Sequence, residues 1–133
     1  PTYATSTPDQ RVNRVFGWLG STEGLGSLEI TPLGYIKAFT GWGVTLIGTS
    51  INTVNLNTWN LIEVYIKIHD TVGRLIVRLN GVVEIDFTGD TKPNVDTQIA
   101  STRYNNPSLG YGFGNTYFDD IIINHVNGSV NHS

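Results

Sequence analysis

No cysteine and no methionine occur among the 133 residues. Without cysteine there is no disulfide framework, no thiolate metal site and no cysteine nucleophile. Alanine is scarce as well: three residues, against thirteen isoleucines and twelve valines. Alanine favours helices and β-branched residues favour strands, so the imbalance points to an all-β domain. Charged residues make up only 14%, against about 25% in an average soluble domain. Eight basic and eleven acidic residues leave a net charge of −3, and the lysines and arginines form no cluster. A nucleic-acid partner is therefore not expected. No apolar run reaches the ~18 residues of a membrane-spanning helix, so no membrane partner is expected either. The three histidines show no metal-ligand spacing.

What remains is the composition of one folded domain. Hydrophobic residues reach 39%, too many for a disordered tail, and the length suits one core. Fifteen glycines and five prolines supply frequent turns. Residues 1–10, polar and with two prolines, read as an arm or linker; residues 11–133 read as the domain. The missing methionine and the initial Pro1 lead to the expectation that the chain is a piece of a longer protein.

Strands are expected at 11–19, 25–31, 35–40 and 44–47, with a Thr- and Asn-rich loop over 48–58. In 59–68, Ile62, Val64, Ile66 and Ile68 share one face; Glu63, Tyr65 and Lys67 share the other. A period of two is the strand signature. Over 74–80, Leu75, Val77 and Leu79 alternate with Arg74 and Arg78. Asn80-Gly81 is a strong hairpin signal, since both residues tolerate positive φ. Val83, Ile85 and Phe87 then alternate with Glu84 and Asp86, which predicts a core containing all three apolar residues and a solvated pair of acids. A further strand is expected within 95–103. A last one, over 116–126, is apolar on both faces and so expected to be covered on both sides. About nine short strands with regular turns predict an antiparallel two-sheet sandwich or jelly roll.

An ordered series of motifs within 59–131 carries a resemblance. It runs from Trp59, Ile62 and Glu63 through a strand from Gly73 to Asn80-Gly81. Gly89-Asp90-Thr91 follows, then Tyr117-Phe118-Asp119-Asp120-Ile121 and Asn127-Gly128-Ser129-Val130-Asn131. The series resembles the concanavalin A-like (LamG-like) jelly roll of bacteriophage virion proteins. The resemblance implies a curved two-sheet sandwich in a capsid or tail protein: a non-enzymatic structural or decoration module on the virion surface, with other virion subunits as partners. It also implies further strands outside this region. A sheet edge beside 59–68 or beside the Asp119-Asp120 strand is then expected to be filled by residues outside this sequence or by a partner chain. The alternative is a lectin-like adhesion module with a host-surface glycan as partner, and a weaker one is a glycoside hydrolase relic.

Three groups of residues invite chemistry. Glu84 and Asp86, two apart on a strand, share a face, and retaining glycosidases need two carboxyl groups about 5–5.5 Å apart. The glycosidases of this broad fold carry a second glutamate after the aspartate; Thr88 and Gly89 stand there, so no catalysis is expected. Asp119 and Asp120 are weak Ca²⁺ candidates: as strand neighbours they point to opposite faces, and only at a strand end, with loop carbonyls, could they hold one ion. Ties to backbone N–H groups or to Arg74, Arg78 or Arg103 account for them without a metal. No cofactor is expected. Trp42 lies between glycines, and Tyr104, Asn105 and Tyr111 lie in a Gly- and Asn-rich stretch. Aromatic faces and amide groups are what sugar rings need, so these four are the candidate glycan residues. Filling a sandwich end or an interface is the competing role for such aromatics.

Overall fold

The alternating pattern becomes strands in the computed structural model, which describes residues 13–31, 33–106, 117–124 and 130–132. Those residues contain no helix. The strands are β1 (Asn13–Leu19), β2 (Gly24–Ile30), β3 (Tyr35–Thr40), β4 (Thr45–Thr53), β5 (Ile62–Lys67), β6 (Gly73–Leu79), β7 (Val82–Gly89), β8 (Ser101–Asn106), β9 (Ile122–Asn124) and β10 (Val130–His132). They form a five-stranded sheet in the order β4-β3-β2-β1-β8 and a three-stranded sheet β5-β6-β7, with β9 and β10 paired apart. Every pairing is antiparallel.

The two larger sheets share one core, which makes the molecule a β-sandwich. Trp18, Leu28, Ile30, Ile36 and Ala38 of the larger sheet cluster with Leu75, Val77, Leu79 and Ile85 of the smaller one. Each fully buried leucine, isoleucine or valine among them contributes about 1.5–3 kcal/mol. Cross-strand partners share a face, so Ile30 opposite Ile36 and Leu28 opposite Ala38 extend one apolar surface. Ile62, Val64, Ile66, Ile68 and Phe87 are half-buried against that core, on the face that the alternation predicts. The Asn80-Gly81 turn forms as expected: φ is 51° and 84°, and Leu79 pairs directly with Val82.

Four elements differ from expectation, each for a local reason. In β7 the register slips, with Val77 opposite Ile85 but Arg78 opposite Val83. Glu84 is the extra residue of a β-bulge, and such a residue breaks the alternation. Val83 is consequently 45% exposed and Glu84 only 7%, the reverse of the predicted core and solvated positions. The expected loop over 48–58 is largely strand, since β4 continues through Thr53; threonine is β-branched and suits a strand. The strand expected within 95–103 begins only at Ser101. Before it, the Asn94 side chain accepts the Asp96 N–H at 2.8 Å and fixes a turn. The last strand is neither long nor covered: residues 117–121 are not strand, and Ile122 and Ile123 of the short β9 are exposed. Asp120 has φ of 50°, and its N–H bonds to Asp119 Oδ1 at 2.9 Å, an arrangement that competes with a ladder.

Candidate functional site

Of the four glycan residues expected from the sequence, Trp42 and Tyr104 can be placed, and they lie apart. Trp42 follows the positive-φ Gly41 and packs against β1 and β2, where Gly17 and Gly24 leave room; a Cβ at Gly17 would run into its ring. The Arg14 guanidinium stacks on the indole 4.4 Å from its centroid, and Arg103 lies at 6.0 Å. That cation–π contact occupies a face a sugar would need. Tyr104 instead packs against Phe16 at 5.3 Å and Phe118 at 5.6 Å between ring centroids. Arg103 pairs with Gly17 and Tyr104 with Phe16, so alternation sends Trp42 and Tyr104 to opposite faces of one sheet. Asn105 belongs to β8, but its side chain lies outside the described residues, as does Tyr111.

The carboxylates are likewise separated. Glu84 turns inward on its bulge and accepts the N–H groups of Ile51 and Asn52 on Oε2 at 2.8 and 2.9 Å, and the Asn52 amide on Oε1 at 2.7 Å. The Asn52 bonds, first the backbone one, hold its pKa below the ordinary glutamate value. The carboxylate thereby latches β7 to β4, the neighbouring edges of the two sheets. Close approach is allowed at Gly48, where a Cβ would lie 2.5 Å from Ile85 Cγ2. Asp86 points to solvent and takes a two-pronged contact from Arg74, at 3.1 and 3.0 Å. That contact lowers the Asp86 pKa and raises that of Arg74. The two acids thus sit on different faces with different partners. Asp119 and Asp120 are both exposed, and Asp119 accepts its neighbour's backbone N–H. Among the described residues no three His, Asp or Glu side chains gather as a metal set.

Several polar anchors escape a reading by sequence pattern. Arg14 directs Nε and Nη2 at Glu29 Oε1, at 3.2 and 3.0 Å, and both side chains are buried. Only the pairing of β1 with β2 makes them neighbours. Thr91, within the Gly89-Asp90-Thr91 motif, donates its hydroxyl to Lys67 O at 2.6 Å and accepts the His69 N–H at 3.1 Å. A Cβ at Gly73 would run into that hydroxyl, so the motif serves to pin the β5–β6 turn. His69 has a structural part in the same turn: its Nδ1 accepts the N–H groups of Thr71 and Val72.

Asp96 clamps the β1–β2 turn. It accepts the hydroxyls of Ser21 and Thr22 at 2.8 and 2.7 Å and the N–H groups of Thr22 and Glu23 at 3.1 and 3.2 Å. The Thr22 hydroxyl, then that of Ser21, pulls its pKa from 3.8 to about 2. A depressed folded-state pKa means that the clamp stabilises fully above 3.8 and is lost as pH falls towards 2. A carbon-detected titration should therefore show the Asp96 carboxyl inflecting near 2; an inflection at the ordinary 3.8 would disprove the clamp.

Two surface features remain. The outer edge of β5 has no partner strand among the described residues. Beside it Tyr65, Leu61 and Trp59 are 42%, 60% and 68% exposed. Elsewhere a shallow hollow of about 330 Å³ is lined by Asn52, Asn55, Asn80 and Glu84 with Leu79 and Val82. Asn80 also donates to Asn60, the chain neighbour of Trp59, at 3.2 Å. Comparison of the chain with protein-family models, curated proteins and solved structures finds no match.

Proposed function

We propose that the chain is a concanavalin A-like jelly-roll domain acting as a non-enzymatic structural or decoration module on a phage capsid or tail, where it holds neighbouring subunits. The open edge of β5 carries this reading. Among the described residues this six-residue strand, with exposed aromatic and aliphatic neighbours, has no partner on its outer side, and such an edge recruits another strand. The placement of the acids supports the non-enzymatic part: Glu84 latches two strands, and Asp86 pairs with Arg74 on the other face. Immunogold labelling of purified particles with antibody against the chain tests it. Label on the particle surface is the expected result; label confined to free protein overturns it.

A second reading, a glycan-binding adhesion module, is favoured by the asparagine-lined hollow, whose Asn80 bonds to Asn60, the residue after the exposed Trp59. Amides that bind hydroxyls beside an exposed indole are the groups a sugar ring uses. Calorimetric titration with a panel of oligosaccharides separates the two. Saturable binding that is lost in Trp59→Ala favours adhesion; no heat with any sugar favours the structural module.

A further inference from the structure

The register of β5 on β6 determines which groups its open edge offers. The Asn80 N–H donates to Leu61 O at 2.8 Å, and the register then steps from Ile62 opposite Leu79 to Lys67 opposite Arg74. Antiparallel ladders alternate bonded and non-bonded pairs. Leu61, Glu63, Tyr65 and Lys67 therefore spend their backbone groups on β6. Ile62, Val64 and Ile66 direct their N–H and C=O groups outward. At the opposite side of the smaller sheet, β7 is latched to β4 through Glu84, which leaves β5 as that sheet's open edge among the described residues.

We infer that β5 pairs antiparallel with β5 of a second copy, about a two-fold axis through Tyr65. The inference rests on the subunit-contact reading and names the partner and the register. An isologous contact requires a self-complementary patch, and β5 is one. Outward-facing groups must meet outward-facing groups, so even-numbered residues oppose even-numbered ones. With the axis at Tyr65, Val64 faces Ile66 of the second copy and each such pair exchanges its backbone bonds. Tyr65 meets its own symmetry mate at a non-bonded position, where side chains approach most closely.

Charge selects this register from its neighbours. The Tyr65 axis places Glu63 opposite Lys67 of the second copy, twice. An axis through Glu63 or Lys67 sets like charges face to face, which opposes pairing. An axis through Val64 puts Glu63 against Tyr65, and one through Ile66 puts Tyr65 against Lys67; neither pairs the charges. The half-buried Ile62, Val64 and Ile66 gain apolar neighbours on the core side, and the two three-stranded sheets become one continuous sheet.

Because the chain has no cysteine of its own, introduced thiols report the register directly. Under mild oxidation Tyr65→Cys should form a disulfide-linked dimer. Glu63→Cys and Lys67→Cys should each remain unlinked alone and cross-link when mixed. In sedimentation, wild type should dimerise. Glu63→Lys should weaken the dimer about tenfold, since it sets two like-charged pairs opposite, and the swap Glu63→Lys with Lys67→Glu should restore it. A wild-type chain that sediments as a monomer at every concentration overturns the inference. So does self-linking of Glu63→Cys, or a charge swap that fails to restore the dimer. Particle labelling is read separately: label without self-pairing leaves the module reading standing and rejects this register, and self-pairing without label does the opposite.

Discussion

Val77→Asp should abolish folding, while Val83→Asp, six residues along the same hairpin, should leave the protein soluble and cooperatively folded. Val77 is 0% exposed at the centre of β6, paired with Val64 on one side and Ile85 on the other. An unpaired carboxylate there loses its hydration and meets only apolar side chains, or it takes up a proton and remains an unsatisfied polar group. Either course costs several kcal/mol, against a total stability of roughly 5–15 kcal/mol for a domain. Val77→Ala removes volume without adding a charge and should cost about 2 kcal/mol, with cooperative melting retained. Val83 is 45% exposed beyond the bulge, where a substitution shifts stability by about 0.5 kcal/mol or less. Thermal melting followed by circular dichroism measures all three. Folded Val77→Asp, or unfolded Val83→Asp, would show that the two faces of the hairpin are assigned the wrong way round.

That contrast also marks where the sequence stops being legible. Strict alternation identifies the inward faces of β5 and β6, because a period of two leaves only one register that buries Ile62, Val64, Leu75 and Val77 together. Asn80-Gly81 fixes the turn, because its positive φ values are a property of the residues themselves. The bulge at Glu84 is a property of the pairing: nothing in Val-Val-Glu-Ile distinguishes an inserted residue from simple alternation. The same holds for polar anchors made by residues distant in sequence. Asp96 reaches residues 21–23 across more than seventy positions, and Arg14 reaches Glu29 only after β1 and β2 have paired. Trp42 and Tyr104 look alike in sequence, as aromatics among glycines and asparagines. Sheet alternation then divides them, one stacked under Arg14 and one against Phe16. The open edge of β5 was approachable from sequence only as an expectation of a missing neighbour, since β5 itself reads like any amphipathic strand.

Glu84→Ala should loosen the seam between the two sheets, and the contribution of this carboxylate should depend on pH. The carboxylate is the partner of two consecutive backbone N–H groups in β4 and of the Asn52 amide. Alanine leaves those donors without their acceptor at the seam between the sheets; a fully buried donor left so costs about 1–3 kcal/mol, and these belong to residues that are themselves exposed. Water entering from the adjoining hollow offsets part of this, so the net loss should be about 1–2 kcal/mol. Glu84→Gln keeps one acceptor oxygen but turns an NH₂ group towards one of the donors, and should fall between alanine and wild type. The bonds favour the ionised carboxylate, and its folded pKa lies below the ordinary 4.5. The latch therefore contributes fully above 4.5 and weakens as pH falls through the lower folded value. The stability gap between wild type and Glu84→Gln should be widest near neutrality and close in acid. Denaturant melts of both proteins across that range measure the gap. A gap that stays constant in acid would mean that the carboxylate's charge is not what holds β7 against β4.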